Sequence, residues 1–178
     1  MDAMPTADQL NFGLLLLRLV VGPVFAFHGY AKIFRGGRLA GTARWFDSIG
    51  MRPGHLHARL AAAGELATGI CITLGLLTPL AGMGLVGLMA VAVWTVHRGH
   101  GLLVVANGWE YNLVLAAIGV ALATIGAGEW SLDEALGLDL NGPVGFAISL
   151  GGGLALATFV LATYHRPPPP EPPDTPAA

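Results

Sequence analysis

Hydrophobic residues in this chain come in long runs, neither alternating nor confined to a narrow stripe. The first run covers residues 10–34 and the second 57–77, and no charged residue occurs from Leu66 to Val96. That last stretch is too long for one membrane-spanning helix, which needs about 20 residues. Gly75-Leu76-Leu77-Thr78-Pro79 supplies the break, because proline fits the first turn of a helix and cannot continue one. A third helix is therefore predicted over 79–96, in a tight hairpin with the second. A fourth follows at 111–128, and a fifth at 143–164 is opened by Gly142-Pro143. Gly151-Gly152-Gly153 inside the fifth is poor helix chemistry in water, but small residues let helices approach closely in a bilayer. The ten-residue alternation of barrel strands is missing. The pattern predicts an all-α integral membrane protein.

Composition agrees. Hydrophobic residues make up 54% of the chain and charged residues 11%, against about 25% charged in a soluble domain. Mean hydropathy is +0.65. At 178 residues one bundle is expected. Cys71 is the single cysteine, which excludes an intrachain disulfide, a CxxC couple and a thiolate metal site. A net charge of −2 gives no reason to expect nucleic acid. Lys32 is the only lysine, and the excess of arginine, alanine and glycine suggests a GC-rich bacterial genome. The first eleven residues hold Asp2 and Asp8 but no basic residue, so the first apolar run reads as a span and not as a cleaved signal.

The connections differ in character. Residues 35–55 form the longest, and Trp45, Phe46 and Ile49 beside Arg38, Arg44 and Asp47 suit a short amphipathic helix in the interface over 39–49. Residues 129–142 form an acidic loop with Glu129, Asp133, Glu134 and Asp139. Residues 165–178 read as a disordered proline-rich tail. Five spans put Lys32, Arg35, Arg38, Arg44, Arg52, Arg59, Arg98 and Arg166 on or beside one face. Arg18 alone is set apart. Positive residues stay cytoplasmic, so the expected topology is N-terminus outside and C-terminus inside.

Ionisable groups within spans are costly, and are functional candidates by default. Arg18, Gly22, Phe25, Gly29 and Lys32 share one helical face, with His28 at its border. The two glycines leave room for a neighbouring helix or a flat ligand. Glu65 in the second helix lies near the level of His28. A partner for it is expected in Arg18 first, because guanidinium stays protonated, or in His28. Lys32, His97, Glu110 and Tyr111 gather at the same end. The competing structural readings are a snorkelling Lys32, Trp109 and Tyr111 as interfacial belt residues, and a purely structural salt bridge for Arg18 and Glu65. His28 and His97 could ligate a metal, but with no HExxH and no cysteine cluster neither a metal site nor haem is expected.

Three motifs carry a resemblance. Leu17-Arg18-Leu19, Gly22 and Phe27-His28-Gly29-Tyr30-Ala31-Lys32 resemble the first-helix signature of the DoxX family. Gly64-Glu65-Leu66 with Gly75-Leu76-Leu77-Thr78 resembles its second-helix motif, and Asn107-Gly108-Trp109-Glu110-Tyr111-Asn112 the motif opening its fourth helix. Asn107 departs from the pattern, standing where glycine is usual. The resemblance implies a four-helix membrane core over 10–128, to which this chain adds a fifth helix. It also implies a shared site at Arg18, His28, Lys32, Glu65, Glu110 and Tyr111. The family takes its name from a subunit of an archaeal thiosulfate:quinone oxidoreductase; other members resemble membrane partners of soluble redox enzymes, and distant ones act as chaperones or cargo receptors.

Three functions follow as expectations. The first is a redox-associated membrane subunit, with a quinone as candidate ligand and a soluble oxidoreductase as partner. Lys32 or His28 would donate to a carbonyl, and Glu65 or Glu110 would relay protons. No flavin, iron–sulfur or c-type haem fingerprint is present, so no complete oxidoreductase is expected and catalytic residues are not assigned. The second is a non-catalytic scaffold or assembly factor recruiting an enzyme through the basic loop and the tail. The third is a small-molecule or proton carrier using Arg18 and Glu65 as a switchable pair. The expected setting is the bacterial cytoplasmic membrane, with lipid and a further copy of the chain as other partners.

Overall fold

The computed structural model describes residues 5–167, and among these all regular elements are helices. Helix α1 spans Ala7–Phe34, α2 Arg38–Ser48, α3 Gly54–Leu74, α4 Thr78–Ala92, α5 Glu110–Ile125, α6 Leu132–Ala135, α7 Gly142–Phe146 and α8 Gly153–Tyr164. A π-helical turn, Val93–His97, extends α4, and another, Ala147–Gly152, joins α7 to α8 as one continuous rod. Three helices are long and apolar enough to cross a membrane: Ala7–Phe34, Thr78–His100 and Gly142–Tyr164. The apolar α5 is shorter, and α3 is long enough but carries Arg59 and Glu65. Together these five build a multi-pass membrane bundle.

Local chemistry sets the boundaries. Thr6 opens α1 with a reciprocal cap: Gln9 N–H donates to the Thr6 hydroxyl, and Thr6 N–H donates to the Gln9 side chain. Gly75, in the left-handed conformation at φ 61°, ends α3, and Pro79 lies in the first turn of α4. The fourth spanning helix stops at Ile125, short of the expected 128, because Gly126 turns to φ 97°. The expected amphipathic segment is the helix α2, which packs Phe46 over Met51, Ala58 and Ala61.

The packing order is α1 on α3, α3 on α4 and α4 on α5, with the α7–α8 rod against α4 and α5. Glycine makes the first contact: a Cβ on Gly29 would lie 2.5 Å from the Ala62 carbonyl oxygen, and one on Gly22 2.7 Å from that of Gly69. The space left by these two glycines is thus taken by α3. Leu14, Val21, Phe25, Ile72, Leu85, Met89, Leu115 and Leu122 form the core between the four helices. Phe12, Leu16, Leu19, Val20, Val24 and Phe27 stay exposed on the other side of α1, as a lipid-facing surface requires.

His165 and Arg166, assigned to the tail by sequence, belong to the fold. Arg52 N–H donates to the Tyr164 carbonyl at 3.1 Å and Arg166 N–H to that of Gly50 at 2.7 Å, pairing Met51 with His165. The rest of the proline-rich segment, from residue 168, lies outside the described residues.

Candidate functional site: a cavity at the basic end of the bundle

Two polar centres occupy opposite ends of the bundle. At the acidic end, Arg18 is 1% exposed and reaches the loop after α5. Its Nη2 donates to the Trp130 carbonyl at 2.6 Å and its Nη1 to that of Thr73 at 3.4 Å, beneath Gly75. Asn11 and Glu129 bond reciprocally: Asn11 Nδ2 donates to the Glu129 carboxylate at 2.9 Å, and Glu129 N–H to Asn11 Oδ1 at 3.0 Å. Asp133 accepts from Leu77 N–H at 2.6 Å and Thr78 N–H at 2.9 Å. Those are free donors at the start of α4, where a carboxylate is favoured. This end is a clasp holding the acidic loop across the α3–α4 turn.

At the other end lies a cavity of about 650 Å³, within the range of small-molecule sites. Its walls are mostly apolar, with Phe25, Phe46, Leu60, Leu88, Met89 and Leu115 among them. Lys32 and Glu65 stand in one wall: the Lys32 ammonium donates to both carboxylate oxygens, at 2.6 and 2.8 Å. The two side chains are 22% and 11% exposed.

The expected pairing of Glu65 with Arg18 or His28 is therefore corrected: Lys32 is its partner. The Thr73 carbonyl that Arg18 bonds lies eight residues beyond Glu65 on α3, about 12 Å along the axis. Of the sequence-selected residues, His28, Lys32, Glu65, His97 and Tyr111 line the cavity, whereas Arg18 and Glu110 do not. The π-helical turn at the end of α4 brings in His97, whose Nδ1 lies 2.7 Å from the Asn107 carbonyl. Since a carbonyl only accepts, Nδ1 carries the proton there, and Nε2 is left for a second partner.

Sequence reasoning missed five polar lining residues: His57, Thr68, Thr95, Asn107 and Asn112. His57 is 4% exposed, stacks edge-on to Tyr164 at 5.0 Å and leaves Nε2 without a partner among the described residues. Thr68 was open to detection, since it falls three residues after Glu65 and so on the same helical face.

The fold and this arrangement define a small multi-pass helical membrane protein with one ion pair in the wall of an apolar cavity. The DoxX family model matches residues 13–98. A protein of Bacillus subtilis (strain 168) named "Putative oxidoreductase CatD" is 36% identical over 114 residues, covering 64% of this chain and 81% of its own length. The chain belongs to the DoxX family. No solved structure matches it significantly.

Proposed function

We propose that this protein is the membrane subunit of a redox system, that the basic-end cavity receives a quinone ring, and that a partner oxidoreductase works with it on the cytoplasmic side. The observation that carries the reading is the Lys32–Glu65 pair set in the wall of an otherwise apolar cavity. The name of the Bacillus relative supports the redox class. A quinone suits this site because apolar walls hold the ring while a few fixed polar groups orient its oxygens. When bound, it supplies two-electron, two-proton chemistry. The Lys32 ammonium would donate to a ring oxygen, and the Glu65 carboxylate, sharing that ammonium, would hold or pass a proton. His97 Nε2 and the Tyr111 hydroxyl offer further polar contacts at the cavity edge.

The setting we propose is the bacterial cytoplasmic membrane with the basic end inward, since Lys32, Arg35, Arg38, Arg44, Arg52, Arg59, Arg98 and Arg166 gather there. Purification in mild detergent, followed by solvent extraction and mass spectrometry, tests the ligand. A quinone retained in stoichiometric amount, and lost in Lys32→Met, is the expected result. A soluble enzyme recovered with no quinone would favour a scaffold instead. A reporter fused at Ala178 and active only outside the cell would overturn the orientation.

A further inference from the structure

Buried polar groups in folded proteins nearly always find partners, so the exceptions call for an explanation. Thr73, Thr95, Thr124 and Thr158, on four spanning helices, each donate their hydroxyl to the carbonyl four residues back, at 2.7–2.8 Å. Thr68 does not. It is 7% exposed, lines the cavity, and makes no side-chain hydrogen bond among the described residues. Arg18 Nε, His57 Nε2 and Thr78 Oγ1 are also without partners among the described residues, and Asn112 on α5 is a further exception. It is 6% exposed, and its Nδ2 donates only to the Met89 thioether at 3.4 Å, a weak acceptor. Its amide oxygen accepts no hydrogen bond among the described residues, and it too lines the cavity.

The positions of Thr68 and Asn112 are informative. Glu65 and Thr68 sit on α3, about 4.5 Å apart along the axis. Asn112 sits on α5, which reaches the cavity from the far side of α4. One wall therefore carries a bonded ion pair, and unspent hydrogen-bonding capacity stands deeper along that wall and across from it. A ligand with a single oxygen would satisfy the ion-pair wall and leave Thr68 and Asn112 unused.

We propose that Thr68 and Asn112 are specificity-determining residues that read the second polar edge of the ligand, so that the cavity selects a flat ring with oxygens at two opposite edges over one with a single oxygen. This rests on the quinone reading above. The amide group can donate to or accept from that second oxygen, as can the threonine hydroxyl, so both a dione and its diol satisfy them.

The test compares a decyl-substituted para-benzoquinone with 4-decylphenol, binding to the full chain in detergent by calorimetry. The wild type should prefer the dione. Asn112→Leu and Thr68→Val should each weaken dione binding roughly five- to tenfold, as expected for one lost neutral hydrogen bond, and leave phenol binding within about twofold. Thermal stability should hold or rise, because replacing an underbonded buried polar group by an apolar one of similar size is neutral or stabilising. Variants that keep the full wild-type preference would overturn the inference. So would parallel loss of both ligands with a fall in stability, which marks a structural role. If Lys32→Met loses the dione while Asn112→Leu and Thr68→Val retain it, this inference fails and the quinone reading stands. Binding of neither probe by the wild type would sink both.

Discussion

The Lys32 ammonium, four turns along α1 from Arg18, lies between the two carboxylate oxygens of Glu65 on α3, 2.8 and 2.6 Å away. It does so because α1 and α3 meet through glycine, which brings the backbones close enough for a lysine near the end of one helix to turn back onto its neighbour. Lys32→Met and Glu65→Gln should each lower stability by about 1–2 kcal/mol, less than the ~3–5 kcal/mol of a fully buried pair. The double variant should recover part of the loss. Glu65→Gln combined with Arg18→Gln should instead be additive within about 0.5 kcal/mol, because those side chains share no partner. Chemical unfolding in detergent measures both cycles; strong coupling of Glu65 to Arg18 would refute the assignment.

The close approach of α1 and α3 can be tested by adding one carbon. Gly29→Ala would place a methyl group against the Ala62 carbonyl and the Leu66 amide, at 2.5 and 2.7 Å, where neither backbone can yield freely. It should cost about 1–3 kcal/mol and loosen the Lys32–Glu65 pair with it. Gly13→Ala on the same helix meets nothing within 4 Å and should be neutral or slightly stabilising. Equal effects from the two would show that the helices do not touch at Gly29.

At the acidic end Asp133 supplies from a distant loop what a helix usually takes from its own N-cap. Its two carboxylate oxygens accept from Leu77 and Thr78. Asp133→Ala should cost about 1–2 kcal/mol, the scale of a lost cap. Arg18→Met should cost at least as much, because the Trp130 carbonyl loses a 2.6 Å charged donor. Both variants should speed proteolysis within the 126–141 loop. An unchanged cleavage rate would mean that the clasp does not hold the loop.

Much of the fold was legible because each span is announced by its own residues. Apolar length marked the helices, Gly75 and Pro79 the hairpin, and the shared face from Arg18 to Lys32 the side of α1 that turns inward. The site was legible only in part, for a geometric reason. Sequence gives depth along a helix, but not which helices are neighbours or how far a long side chain bends back. Arg18 was expected to meet Glu65 by depth, whereas loop carbonyls at Thr73 and Trp130 claim it. Thr68 and Asn112 look like ordinary polar residues in a span. Their interest comes from the partners they lack, which only three-dimensional structure reveals. The π-helical turn that carries His97 into the cavity left no signal in the apolar pattern.

The final prediction concerns the C-terminus. Tyr164, His165 and Arg166 pair with Gly50, Met51 and Arg52, and Met51 beneath them is 1% exposed. Met51, His57, Phe46 and Val160 all line the cavity, so this short pairing lies beside its wall. Truncation after Pro167 should leave detergent stability unchanged, since both backbone hydrogen bonds survive. Truncation after Tyr164 removes the Arg166 N–H bond and uncovers Met51, and should cost roughly 1–2 kcal/mol. The pairing also offers a finer probe. Hydrogen bonds flank Met51 and His165 but do not join them directly, a geometry that brings opposed Cα atoms to about 4.5 Å and within reach of a disulfide. Met51→Cys with His165→Cys should therefore crosslink on oxidation, raise stability, and slow both uptake and release of any bound ring. Reduction should restore the wild-type rates. Failure to crosslink under oxidising conditions would show that the C-terminal residues do not sit on the α2–α3 turn.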